Sequence, residues 1–306
     1  MFLTMAKPRI IYHILAFVTV AIWGVTFVCT KVLIGAGLDP AQIFALRFII
    51  AYLGIWAICL IKKGPSLKLF GSLKEELLFL ALGVSGGSFY FLTENHALAN
   101  TQACNVSFLV CSAPLWTLLL SLLLRRAGKN EGQEDVRLSP KIVIGTLLAL
   151  AGMAMTIFGR ESVNFSPKGD ILAIAAALCW AVYSILMGPA SARYGSLFLT
   201  RKVFFYGLLT IIPFLLSQEP PSLATLTNPT VLINLLFLAV FASLVCFLLW
   251  NKVIARLGNF TSTNYVYLNP FFTLLFATLL LGETLSAIEL VGCITIVAGV
   301  YLAAKI

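Results

Sequence analysis

Two ionisable side chains, Arg47 and Glu94, stand inside long apolar runs where a charge needs a reason. Taking such a group out of water is costly unless a partner, a solute or a water-filled cavity compensates it. Arg47 lies about two turns inside the outer end of its run, where it could pair with a substrate carboxylate. A structural arginine snorkelling outward is the competing reading. Glu94 could carry a coupling proton or hold a substrate ammonium group, although with Asn95 and His96 beside it the group could instead sit at an interface, in water. Lys31, near the end of the first run, reads as a snorkelling residue.

Uncharged polar and aromatic residues form stripes at helical spacing. Residues three, four and seven apart share a helix face. Trp23, Thr26, Phe27 and Thr30 make one such stripe, and Trp180, Tyr183, Ser184 and Met187 make another at an offset of 157. The two should face each other and could wall a cavity for a partly apolar, partly hydrogen-bonding solute. Helix packing or an interfacial aromatic belt would give the same pattern. Asn105, Ser112 and Trp116 share a face in one run; Ser262, Tyr265 and Asn269 share one in another, with Asn264 and Tyr267 alongside. Amides buried in lipid need partners, so these residues serve as interhelical glue or reach a pathway. Pro114 and Pro270 each remove a backbone hydrogen bond within a helix and are candidate hinges or static kinks. No catalytic group, metal-ligand spacing, P-loop or cofactor motif emerges, and two histidines are too few for the convergent acid-base or metal chemistry of an intramembrane enzyme.

The elements that must carry these residues are membrane helices. With 60% hydrophobic and 11% charged residues the chain is too apolar for an ordinary soluble domain. Ten runs are long enough to cross hydrocarbon, near 11–34, 41–61, 76–97, 102–124, 142–159, 169–191, 200–217, 230–254, 260–281 and 287–304. The expected fold is therefore an all-α integral membrane protein of ten transmembrane helices. All seven cysteines fall in these runs or at their ends, which points to packing rather than disulfides. The first run is too long for a signal peptide and should be retained. The net charge of +9 does not point to nucleic acid, because 17 of the 21 basic residues fall in loops that alternate crossings place on one side. That bias places both termini in the cytoplasm.

The runs also repeat. Trp23 recurs as Trp180; Asn95 and Pro114 recur as Asn251 and Pro270 at an offset of 156; Gly145 and Gly152 recur as Gly292 and Gly299 at 147. The offset falls because the loop from Arg125 to Lys141 is longer than its counterpart from Gly282 to Ala287. Five helices per copy is odd, so the second copy, 161–306, must enter from the opposite side to the first, 1–160. Such an inverted-topology repeat gives two nearly equivalent conformations with a site between them, the pattern of a carrier that opens to each side in turn. Asn95 and Asn251, as a repeated pair, are candidate gate or cap residues. The triplet Asn164, Phe165, Ser166 matches a glycosylation sequon but carries little weight alone.

AIWGVTFVCTKVLI at 21–34 resembles the first helix of the EamA-type drug/metabolite transporter superfamily. LRF with Ala51, HALANTQA at 96–103, the two prolines and LLLGE at 279–283 extend the resemblance in order over the whole chain. It implies ten helices in two inverted five-helix repeats in a bacterial inner (plasma) membrane, exporting amino acids or similar small amphipathic metabolites by alternating access. A proton is the candidate coupling ion, and no cofactor is implied. An organophosphate or nucleotide-sugar exchanger of the same superfamily is the alternative, although Arg47 with Arg201 or Lys202 offers few cations for it. Glu283 has no equivalent in the first copy, where Ala127 follows Arg125 and Arg126, and reads as a dipole partner of the last helix.

Overall fold

The computed structural model describes residues 6–62, 67–101, 103–126, 140–158, 166–281 and 286–304. Asn164 and Phe165 of the sequon-like triplet, Glu283 and most of the loop from Arg125 to Lys141 lie outside them. The described residues are helical throughout, with no strand among them. In chain order the helices are α1 (Ala6–Gly35), α2 (Pro40–Lys62), α3 (Leu73–Asn100), α4 (Ala103–Val110 and Ala113–Arg126) and α5 (Pro140–Phe158). Then follow α6 (Pro167–Tyr194), α7 (Ser196–Leu216), the short turn Leu223–Thr227, α8 (Pro229–Leu257), α9 (259–281) and α10 (Ala287–Ala304).

Local sequence sets the ends. Ser72 and Glu75 form a reciprocal capping box at the start of α3, and Ser166 caps α6 with Pro167 at its first position. Gly37 after α1 and Gly195 after α6 take positive φ, 91° and 78°, which glycine adopts without steric cost. Seven stretches, in α1 to α4 and α6 to α8, are long and apolar enough to cross a membrane. In α5 and α10 the apolar parts are shorter, Pro140–Met155 and Leu290–Gly299.

The ninth run, expected as one helix with a hinge or kink at Pro270, is in three pieces: Asn259–Asn264, a 3-10 turn over Tyr265–Leu268, and Asn269–Leu281. Hydroxyls there bond back to the preceding turn, Ser262 to the Gly258 carbonyl and Thr263 to that of Asn259, and such local bonds compete with regular helix. The fourth run is likewise split, at Cys111 and Ser112. Pro114 and Pro270 each occupy the second position of the half that follows the break. Two π-helical segments, Val84–Ser88 in α3 and Phe237–Val245 in α8, had no counterpart in the sequence reading.

Packing around the core follows a regular scheme. Helix α1 lies on α8 and α9, while α6 lies on α3 and α4; α2 lies on the π segment of α8, while α7 lies on α3; α2 meets α7 and α5 meets α10. Replacing every helix by the one five places away maps this set of pairings onto itself. The α5–α10 contact shows it at the level of single residues. A Cβ on Gly152 would sit 2.6 Å from the Gly292 carbonyl oxygen, and one on Gly299 would sit 2.6 Å from that of Gly145. In α3, Gly83 and Gly87 approach Gly207 of α7, so that GxxxG spacing serves close packing. Large apolar side chains cover the outside, among them Leu53, Ile61, Leu147, Ile171 and Ile294, which fits a hydrocarbon surround. Cys29, Cys111 and Cys246 are buried free thiols, and Cys179 is free and half-buried.

Candidate functional site

The second half of α3 presents Tyr90, Phe91 and Glu94 on one face, at the spacing of a single turn. Opposite it α1 contributes Trp23, Thr26 and Phe27, and α6 contributes Trp180. These helices, with Arg47 of α2, Val110 of α4, Phe247 of α8, and Val266 and Asn269 of α9, enclose a cavity of about 420 Å³ counting its solvent-open part. The Trp23 and Trp180 rings meet edge to face at 5.2 Å, Tyr90 tilts against Trp180 at 5.1 Å, and Trp250 closes on Trp23 at 5.0 Å from behind. Such geometry is the favourable one for aromatic pairs.

The π segment of α8 holds two of these side chains. The Trp23 indole donates to the Ala242 carbonyl (3.0 Å), and Arg47 Nε donates to Ser243 Oγ (2.9 Å). Irregular helical turns of this kind present groups that a regular helix would not. Arg47 is only 1% exposed, with its guanidinium 4.6 Å above the Phe91 ring. Its terminal nitrogens make no hydrogen bond to a described residue, so four donors remain for a ligand. Glu94 is 5% exposed and its Oε1 accepts from the Tyr90 hydroxyl (2.8 Å), while Oε2 has no partner among the described residues. Arg47 and Glu94 share the cavity without forming an ion pair within 4 Å. Thus a cation and an anion, each short of partners, face one aromatic-walled space.

Of the residues singled out in the sequence, Trp23, Thr26, Phe27, Arg47, Glu94, Trp180 and Asn269 line this cavity, and the others do not. Asn95 donates to the Pro40 carbonyl (3.0 Å) at the start of α2. Asn251 accepts from Tyr183 (2.7 Å) and donates to Thr200 (2.8 Å) in the first turns of α7. The repeated asparagines therefore play matching structural parts, each tying a helix end to the beginning of another helix. Tyr183 belongs to that lock, and Asn105 bonds Thr101 within its own chain region. Tyr265 pairs with His13 (2.7 Å), while Tyr267 and Asn264 are buried in α9, Asn264 with neither amide atom bonded to a described residue. Arg201 and Lys202 lie outside the central cavity, which leaves Arg47 as its one cation among the described residues.

Sequence reasoning passed over Tyr90, Phe91, Val110, Phe247 and Val266. Signals for most of them were present. Tyr90 is one turn before Glu94, and the offset of 156 that joins Asn95 to Asn251 also joins Phe91 to Phe247 and Val110 to Val266. Three repeated pairs, counting Trp23 and Trp180, thus form a matched apolar cage. The polar groups break the match: Glu94 corresponds to Trp250, Tyr90 to Cys246, Asn269 to Ala113, and Arg47 to the apolar Val203 or Phe204.

Comparison with known proteins gives the family of the whole chain. The model of the EamA-like transporter family matches residues 10–158 and again 167–305. An "uncharacterized transporter" of Archaeoglobus fulgidus is 30% identical over 95% of this chain and 96% of its own. A "probable amino-acid metabolite efflux pump" of Salmonella typhimurium is 28% identical over 94% of this chain and 93% of its own. A solved crystal structure superposes with a TM-score of 0.73 at 19% identity, over 97% of this chain and 96% of that one, which shows a shared fold. With apolar helices and a small-molecule cavity at its centre, the chain belongs to the EamA-like transporter family.

Proposed function

We propose that this protein carries zwitterionic amino acids, or closely related amphipathic metabolites, across a bacterial inner membrane, acting as an exporter by alternating access. The observation that carries the reading is the pair of opposite, incompletely partnered charges, Arg47 and Glu94, facing one cavity of aromatic walls. A substrate carboxylate takes the free guanidinium donors. The ammonium group takes Glu94 and the faces of Tyr90 and Trp180, and an apolar side chain fills the cage. The printed name of the Salmonella relative supports the same substrate class. A phosphate or nucleotide-sugar substrate fits less well, because a multiply charged anion needs more than one cation.

Alternation follows from a duplicated, inverted architecture of ten crossings with both termini cytoplasmic. Support comes from the five-place exchange of helix pairings and from the reciprocal, antiparallel approach of Gly145 to Gly299 and Gly152 to Gly292. Further support comes from the family match in two copies. The π segments also fall at equivalent places, since 84–88 map onto 240–244 at the offset of 156. At 19 residues α5 reaches about 28 Å, close to the hydrocarbon thickness. The breaks before Pro114 and Pro270 are the hinges. Glu94 is the coupling-proton carrier, because an acid that holds the substrate ammonium in one state can hold a proton in the other.

Transport of labelled amino acids into proteoliposomes under an imposed pH gradient tests this. Wild type should accumulate substrate, Arg47→Ala should not bind it, and Glu94→Gln should lose the response to the gradient. Unchanged transport in both variants would remove the charged pair from the mechanism, and absence of any amino-acid flux in wild type would remove the substrate class.

A further inference from the structure

A second cavity lies apart from the central one, between the last turns of α2 and the first turns of α7. It holds about 290 Å³ counting its open side, and Tyr52, Trp56, Phe70, Arg201, Lys202 and Phe205 are among its walls. Its two cations differ in state. Lys202 is engaged: its ammonium meets both oxygens of Glu76 at 2.7 and 2.8 Å and the Leu69 carbonyl. The same carboxylate also receives the Tyr206 hydroxyl and the Gly71 amide, so its capacity is spent.

Arg201 has no such partner. Only 3% of it is exposed, one of its terminal nitrogens donates to the Lys68 carbonyl, and its Nε is buried without a hydrogen bond to any described residue. Its guanidinium lies 4.7 Å above the Trp56 ring and forms no ion pair with a described carboxylate. A buried guanidinium stacked on an indole, with an idle donor beside a cavity, is a site short of one anion.

The surroundings say what kind of anion. Lys62 at the end of α2, Lys68 next to the lining residue Leu69, Lys74 in the first turn of α3 and Arg193 near the end of α6 are exposed, and the two nearby carboxylates, Glu75 and Glu76, are both engaged by cations. Beyond this basic rim α2 turns Leu53, Leu60 and Ile61 outward, and Phe70 is exposed on the other lip. Charge beside aromatic rings and exposed hydrocarbon side chains suits a phospholipid at a membrane interface better than a freely dissolved ion. We propose that this cavity binds the phosphodiester of an anionic phospholipid, with Arg201 as its main ligand and Trp56 as the platform beneath. The bound lipid bridges α2 and α7, one helix from each half of the chain.

Native mass spectrometry of the full chain with phosphatidylglycerol and phosphatidylcholine of equal chain length tests this. Wild type should retain the anionic lipid roughly fivefold better, the preference expected of one basic residue at the interface. Arg201→Gln should bring the two lipids near parity, Trp56→Leu should weaken the preference, and Lys74→Gln, on the exposed rim, should leave it. A preference that survives in Arg201→Gln, or none in wild type, overturns the site. Should Arg201→Gln fail to fold, the decision rests on Trp56→Leu. Millimolar inorganic phosphate that displaces the lipid and stabilises wild type equally well would overturn the lipid assignment in favour of a dissolved anion.

Discussion

Arg47 is poorly placed to stabilise the fold and well placed to bind. One hydrogen bond to Ser243 and the Phe91 face offset only part of what its burial costs. Because it does not meet Glu94 within 4 Å, removing it orphans no ion pair. Arg47→Met should therefore leave the melting temperature unchanged or raise it while cutting transport at least about tenfold, the value of one lost charge-assisted contact. A clear fall in melting temperature would make Arg47 a structural residue. Tyr90→Phe removes the hydroxyl that orients Glu94 and leaves the ring, so it should raise the apparent KM a few-fold with little change in stability. Equal KM in the variant and wild type would detach the hydroxyl from binding. The sequence made these charges visible, since an ionisable residue in an apolar run is rare. It could not tell Glu94, turned inward on the cavity, from a carboxylate at the interface, because a single turn of α3 separates the two situations and helix rotation is set by packing.

At the scale of elements, breaks and close approaches matter more than regular helix. Both prolines announced the interruptions of α4 and α9, since a missing N–H has a fixed position in the sequence. The π segments did not announce themselves. That in α3 holds Gly86 and Gly87, against the Tyr183 ring and Gly207, and comes from fitting α3 between α6 and α7. That in α8 spans nine residues that would make a regular helix on propensity alone. Pairings such as α5 with α10 rest on glycine and are correspondingly brittle. On Gly299 a Cβ would stand 2.4 Å from the Ala149 backbone nitrogen, which no side-chain rotation relieves. Gly299→Ala should lower the unfolding free energy by about 1–3 kcal/mol, as overpacking does. Gly35→Ala, where nothing lies within 4 Å, should stay within about 0.5 kcal/mol. Equal melting of both variants and wild type would show that α5 and α10 separate freely.

Over the whole molecule, duplication built a matched cage and divergence placed the charge. Trp23 with Trp180, Phe91 with Phe247 and Val110 with Val266 keep the apolar walls alike in both halves. Arg47, Tyr90 and Glu94 all belong to the first half, so in the proposed mechanism the substrate's charged groups stay with one bundle while the other closes over them with similar apolar contacts. This scheme requires α5 and α10 to cross the membrane, although their apolar stretches are shorter than the seven in α1 to α4 and α6 to α8. Single cysteines read by an impermeant thiol reagent in intact cells decide it, against a background of native thiols that are mostly buried. Lys74→Cys, in the first turn of α3, should label only after permeabilisation, whereas Lys168→Cys at the start of α6 and Gln218→Cys after α7 should label from outside; all three positions are exposed. If α5 does not cross, Lys168→Cys and Gln218→Cys will both behave like Lys74→Cys. The second half would then share the orientation of the first, and a pseudo-two-fold axis in the membrane plane could not relate them.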